Sequence, residues 1–322
     1  MKEFGGYLPF ELRDGEELYK GENVVALNCA RYGIVYSIQD GKYSKLYIPF
    51  YMCDTVKDAL IKYNIDFATY HFDESFYPID VKLEEHEAIL YPNYFGLCSE
   101  EKCKWVVNTY KNVIFDNTQA FYAKPVLDVY NVYSCRKFLG VSDGAYVVHR
   151  NIAHRELDSD MSWNKISYLF KCIEESTNSA YEDSLRQEQI LSDSPMLAMS
   201  SLTHRLLRGA DYNKNKEARR NNYMLIHDKV SEYNDYAPIL FDKNVPMVYP
   251  FCYEDESLRG RLIQKYHIYI PQWWKVLLDR PGITEFEEKM ARYLLPLPID
   301  MRYGQEAIEE MTDLIIQEIK DK

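Results

Sequence analysis

Four residues of this chain have the types and spacing to act together: Asp116 and Gln119 in one segment, Ser134 and Lys137 in the next. Asp116 directly follows the apolar run Val113-Ile114-Phe115. A carboxylate in that place needs a cationic partner, because burying an unpaired charge is expensive. A protonated pyridine nitrogen is one such partner, and the carboxylate would strengthen the ring as an electron sink. Read alone, an Asp at a strand end is more often the cap of the following turn. Ser134 ends a second apolar run and stands three residues before Lys137, in Ser134-Cys135-Arg136-Lys137. A hydroxyl at that spacing can hydrogen-bond the phosphate of a cofactor joined to the lysine as an imine. The lysine then needs a lowered pKa to act as nucleophile and proton shuttle, which Arg136 or an enclosed site could supply. Read alone, a solvated Arg-Lys pair is the commoner outcome. The Ser-x-x-Lys of serine hydrolases fits poorly, because that motif opens a helix and here a strand precedes it.

A third segment, Leu27-Asn28-Cys29-Ala30-Arg31-Tyr32-Gly33, passes from a predicted strand into a predicted helix. Backbone amides at that helix start, with the Arg31 guanidinium as a fixed positive fork, would make an anion site. All three segments fall where a predicted strand ends, which is where open α/β sheets bind ligands. The strands that must position them are Asn23–Leu27, Lys45–Pro49, Phe67–Phe72, Ala88–Tyr91, Val113–Phe115, Val129–Tyr133 and Ala145–His149. Helices near Tyr32–Gln39, Thr55–Tyr63 and Glu100–Tyr110 alternate with them. That alternation predicts a mostly parallel sheet covered on both faces. Beyond Arg150 the pattern changes. Helices are expected over Ser162–Leu191, Met196–Leu207, Lys214–Tyr233, Glu256–Tyr266, Thr284–Leu295 and Gly304–Ile319, with strands at Pro246–Phe251 and His267–Ile270. The α/β chain thus divides into a large domain, residues 1–210, and a small C-terminal α+β domain, residues 211–322.

Composition narrows the partners. The chain has 322 residues, 29 of them tyrosine, and a formal charge of −12. An acidic surface repels phosphate backbones and anionic lipids, so neither nucleic acid nor membrane is expected as a partner. The N-terminus, Met1-Lys2-Glu3-Phe4-Gly5, lacks a signal pattern, and no apolar run reaches the roughly 18–20 residues that span a bilayer. A soluble, cytoplasmic protein is expected. The seven cysteines, Cys29, Cys53, Cys98, Cys103, Cys135, Cys172 and Cys252, have no framework or zinc spacing, so reduced thiols and no metal are expected.

Asp116-Asn117-Thr118-Gln119, then Ser134-Cys135-Arg136-Lys137, then Asp143-Gly144-Ala145 resemble the DegT/StrS sugar aminotransferase family, within the fold type I pyridoxal-phosphate enzymes. Tyr91-Pro92-Asn93-Tyr94-Phe95-Gly96 and Leu297-Pro298-Ile299-Asp300-Met301-Arg302-Tyr303-Gly304 are further echoes. The resemblance implies an aspartate-aminotransferase-like fold and pyridoxal 5′-phosphate as cofactor. By it, Lys137 carries the cofactor, Asp116 pairs with the ring nitrogen, and Gln119 reaches the phenolic oxygen. Ser134, with the backbone of Ala30 and Arg31, holds the phosphate. The family's ring-stacking aromatic falls at Cys53, which leaves Tyr51 as substitute. The Gly-x-Asn through which a partner subunit touches the phosphate has only Asp211-Tyr212-Asn213 as an echo. Implied too are a homodimer, an amino-acid donor such as glutamate, and a sugar-nucleotide acceptor that Arg208, Arg219, Arg220, Arg259 or Arg261 could contact. A sugar dehydratase or lyase and a catalytically silent relative that binds a sugar nucleotide or a partner are the alternatives. The related dehydratases lack the lysine.

Overall fold

A computed structural model of the chain describes residues 4–236 and 238–321; Met1, Lys2 and Glu3 of the N-terminal segment lie outside the described residues. β1 (Val24–Leu27) leads into α1 (Ala30–Gly41), and β2 (Lys45–Pro49) into α2 (Asp54–Lys62). Then come β3 (Asp66–Phe72), the short β4 (Pro78–Ile79), β5 (Glu87–Pro92), α3 (Glu100–Tyr110), β6 (Val113–Asn117), β7 (Tyr130–Ser134) and β8 (Ala145–Val148). These strands form one sheet in the order β1-β8-β7-β6-β5-β2-β3-β4. β7, β6, β5, β2 and β3 run parallel, and β8 runs against both its neighbours. The expected α/β class and mostly parallel sheet are what the chain adopts.

Alternating side chains divide the core between the two faces of the sheet. Val113 and Phe115 of β6 join the core on one face, while Ile114 joins the core under α1 and α2 with Ile34, Ile38, Leu60 and Val132. Every residue of β6 is buried, as a strand covered on both sides requires. Gly33 lets α1 lie close on the sheet, because a Cβ there would stand 2.7 Å from Val132 Cγ1 and 3.1 Å from Val147 Cγ2. That contact fixes where the N-terminus of α1 points.

The remainder comprises α4 (Ser167–Glu174), α5 (Tyr181–Asp193), α6 (Ser201–Gly209), α7 (Tyr212–Val230), β9 (Val248–Cys252), α8 (Leu258–Tyr266), α9 (Glu285–Tyr293), β10 (Leu294–Pro298) and α10 (Gln305–Lys320). β9 and β10 pair antiparallel, and α10 packs on α7 and α8. The core continues from Tyr91 and Phe115 of the large sheet to Phe251, Leu295 and Ile315, so the C-terminal unit shares apolar core with the sheet.

Four expected elements differ. The helix expected over Ser162–Leu191 is two helices, because the linker is rich in hydroxyl side chains that bond their own backbone; Ser176 Oγ accepts from the Ser179 amide at 3.0 Å. The helix expected from Met196 starts only at Ser201. The five residues before it are drawn out beside β1, where Leu197 O accepts from Asn28 N–H and Met199 N–H donates to Ala26 O. His267–Ile270 is not a strand: His267 takes a left-handed conformation (φ 56°) that closes α8. The helix expected through Leu295 ends at Tyr293, because Leu294–Pro298 pairs with β9.

Candidate active site

The carboxyl ends of the parallel strands open on one cavity of about 280 Å³. It draws residues from the ends of β5, β6 and β7 and from the turns after β1 and β2. Ala30, Arg31, Asp116, Gln119, Ser134 and Lys137 all line it. Tyr51 does not: its ring is buried in the apolar core, edge-on to Trp274 at 4.5 Å between centroids, and its hydroxyl has no hydrogen-bond partner. The side chain that reaches the cavity from that cluster is Trp274, with Tyr94, Met52 and Cys53 beside it.

Asp116 sits on β6 and is buried to 8% exposure. One oxygen caps the next turn, accepting from the Thr118 amide at 3.0 Å. No Lys, Arg or His among the described residues lies within ion-pair distance of it. Burial therefore raises its pKa, opposed by hydrogen bonding to Thr118 and by the charge of Lys137. Asp116 is thus both the turn cap and a carboxylate facing the cavity with no described cation at ion-pair distance.

Gln119 comes next along the same loop. Its Oε1 accepts from the Phe95 amide at 2.7 Å, which pins the side chain against the Tyr94-Phe95-Gly96 turn. Phe95 is held at φ 60°, a rare conformation for an aromatic residue, and its ring stacks on Trp273 at 5.9 Å. Strain of this kind persists only where surrounding contacts over-determine it. Here the carboxamide, the stacked indole and the closely packed Gly96 do so.

Lys137 lies in a tight turn just past β7. The Cys135 carbonyl accepts from the amides of Phe138 and Leu139 at 3.1 and 3.0 Å, and the Cys135 amide donates to Gly144 O. Gly144 has φ +117°, and a Cβ there would press on Thr203 Cγ2 at 3.0 Å and Cys135 Sγ at 3.2 Å. Asp143 beside it is fully buried and accepts from Ser162 Oγ at 2.5 Å, from Ser200 N–H at 2.8 Å, from Ser200 Oγ at 2.9 Å and from Thr203 Oγ1. Asp143 and Gly144 therefore hold the lysine turn from behind.

At the cavity's other end, α1 begins at Ala30 with no side-chain cap, so its first amides stay available. Arg31 donates through Nη1 to Ser192 Oγ at 2.6 Å, and Nη2 faces Glu188 at 3.7 Å. Arg136 pairs with the same carboxylate, while its Nε is buried without a partner. Glu188 and Trp274 are cavity residues the sequence did not single out. Trp273-Trp274 beside Pro271 was a visible aromatic pair in a loop; Glu188 carried no local signal at all.

None of the five arginines considered for a diphosphate lines this cavity. Arg219 is buried against Phe138, donates to Asn215 Oδ1 and Met247 O, and burial lowers its pKa to about 10. Arg220 binds the Phe241 and Asn244 carbonyls, and Arg261 pairs with Asp255 and Glu318. Arg259 donates to Gln272. Arg208 borders a different cleft, with Glu17 and His204. Asp211 caps α7, accepting from Lys214 N–H at 3.0 Å, and does not line the cavity. Among the described residues, no His, Cys, Asp and Glu cluster could hold a metal ion, and no helix is long and apolar enough to cross a membrane.

No protein-family model and no curated protein sequence matches the chain. Solved structures do. An aminotransferase of the DegT/DnrJ/EryC1/StrS kind from Brucella abortus superposes with a TM-score of 0.63 at 13% identity, over 91% of this chain and 85% of that one. NtdA from Bacillus subtilis, solved with bound cofactor PMP, gives 0.64 at 14% identity, over 91% and 73%. PseC from Helicobacter pylori, an aminotransferase of pseudoaminic acid biosynthesis, gives 0.62 at 11%, over 93% and 87%. The chain has the fold of the fold type I sugar aminotransferases.

Proposed function

We propose that this chain is a pyridoxal 5′-phosphate-dependent aminotransferase that moves an amino group from glutamate to a nucleotide-linked keto sugar. The observation that carries the reading is Asp116, a buried carboxylate at a strand end that faces a cavity without a cation of its own. A protonated ring nitrogen meets that need, and the orphaned Arg136 Nε and the uncapped start of α1 suit an anion at the other end. The residues present fit the cofactor.

Lys137 would carry it, Asp116 would hold the proton on the ring nitrogen, and Gln119 has its amide nitrogen left for a ring oxygen. Ser134 and the backbone of Ala30 and Arg31 would bind the phosphate. When bound, the cofactor supplies a ring that stabilises negative charge developing at the substrate carbon. Lys137 is exposed at the cavity surface in a rigid turn, placed to take a proton from that carbon and return one. Ile34, Met52, Val56 and Trp274 make an apolar wall that limits water around the reacting groups. The presence of Lys137 speaks against a sugar dehydratase. We also propose a homodimer: Trp163, Phe170, Ile173, Tyr181 and Leu185 are exposed on the segment that carries α4 and α5, and Glu188 of α5 lines the cavity.

The test is direct. Protein reconstituted with pyridoxal 5′-phosphate should show a visible absorption band that borohydride abolishes and glutamate bleaches. Keto-sugar nucleotides offered next, followed by mass spectrometry, should gain an amino group. No visible band would end the reading; a band without transfer to any sugar would end its substrate half. Light scattering that shows an active monomer would end the dimer.

A further inference from the structure

Helix α5 brings a carboxylate to the anion end of the cavity. Gln187 and Leu191 fasten the helix: both are buried, and Gln187 Nε2 donates to Ser142 O at 2.8 Å. Glu188 stands between them in sequence and lines the cavity. Its two oxygens face two different arginines, Oε1 toward Arg136 and Oε2 toward Arg31 at 3.7 Å. Both arginine side chains are largely buried, at 16% and 8% exposure, whereas Glu188 is half-exposed at 49%. The cations are fixed, and the carboxylate has solvent to turn into.

We infer that Glu188 is a built-in competitor for the anion subsite: its carboxylate occupies Arg31 and Arg136 and must leave them when a phosphate dianion binds. Arg31, Arg136, Ser134 and the uncapped start of α1 at Ala30 line the same cavity as Glu188. A dianion there takes up the same donors that Glu188 uses, and two anions cannot share them without repulsion. The helix need not move, because Gln187 and Leu191 hold it; only a half-exposed side chain changes rotamer. Glu188 is thereby a specificity-determining residue. It sets a threshold that a monoanion such as a free carboxylate meets poorly and a phosphate dianion meets well, since the dianion offers more charge and more acceptor oxygens to the arginine forks. The identity of the phosphate as the cofactor's rests on the function proposed above, whereas the competition does not.

Glu188→Gln keeps size and helix propensity while removing the charge. Isothermal titration of cofactor-free protein with inorganic phosphate should show the variant binding roughly tenfold more tightly than wild type, about 1.4 kcal/mol. The same titration with pyridoxal 5′-phosphate should show a similar gain, and with pyridoxal, which lacks the phosphate, none. Unchanged or weaker phosphate binding in the variant would overturn the inference, because Glu188 would then be orienting the arginines. Glu188→Ala serves as control for any effect of the amide and should also bind phosphate more tightly. Tighter binding of phosphate but no visible band with pyridoxal 5′-phosphate in either protein would leave the competition standing and remove the aminotransferase reading.

Discussion

Two buried aspartates in this molecule have opposite surroundings. Asp143 is fully buried and saturated, its carboxylate accepting from the Ser200 amide and from the hydroxyls of Ser162, Ser200 and Thr203. Asp116 is nearly as buried yet its hydrogen bonding comes from Thr118 alone among the described residues, and its pKa is driven up by burial. The two lie on either side of the Lys137 turn. Desolvating a carboxylate costs several kcal/mol unless donors or a cation compensate. At Asp143 the chain supplies the compensation itself, and the result is a rigid junction between the lysine turn and α6. At Asp116 the compensation is missing and a cavity takes its place. That contrast separates a residue that braces the site from one left facing the cavity.

Lys137 lies between them in the chain. Lys137→Ala should reduce amino transfer by at least about 10⁴-fold, or ~5.5 kcal/mol, with the melting temperature unchanged, because the side chain is exposed in a cavity and not packed in the core. Steady-state rates and calorimetry on one preparation check both halves; surviving turnover would detach the chemistry from this cavity. Asp143→Ala should behave in the opposite way. It strands buried donors of Ser162, Ser200 and Thr203, so stability should fall by about 3 kcal/mol or more, roughly 6 °C in melting temperature. A loss of activity in Asp143→Ala without loss of stability would erase the distinction.

Much of this was legible along the chain. β6 and β7 announce themselves as apolar runs ending in Asp116 and Ser134, and the two segments reach one cavity because parallel strands present the same ends to the same side. The anchoring role of Asp143 was not legible, since Ser162, Ser200 and Thr203 come from distant segments. Glu188 was hidden for the same reason: it sits on a helix of ordinary polar pattern, and only the docking of Gln187 and Leu191 aims it inward. The resemblance puts the ring-stacking aromatic at Cys53, which leaves Tyr51, two residues earlier, as the substitute. Packing turns its ring into the core instead, and Trp274 arrives from more than two hundred residues away.

Trp274→Ala should weaken pyridoxal 5′-phosphate binding by roughly tenfold to thirtyfold, about 1.4–2 kcal/mol, through lost apolar wall. Tyr51→Phe should leave that affinity unchanged, since its hydroxyl has no partner and does not reach the cavity. Absorbance titration reads both variants. A matching loss in Tyr51→Phe would return Tyr51 to the site.

Asp116 is tested through stability as well. Its folded-state pKa is raised, so the contribution of its protonated form is complete below the ordinary carboxylate range, near pH 4, and is lost as pH rises through the raised value. At neutral pH the raised pKa of Asp116 therefore opposes folding of the cofactor-free chain. Asp116→Asn removes that charge and should melt higher than wild type at pH 7 by about 1 kcal/mol, roughly 2 °C, with the gap closing at about pH 4. Pyridoxal 5′-phosphate should reverse the order, because a ring-nitrogen cation stabilises wild type and has no carboxylate to meet in the variant. If cofactor-free Asp116→Asn melts lower than wild type at pH 7, Asp116 is a structural cap like Asp143, and the contrast between the two aspartates fails.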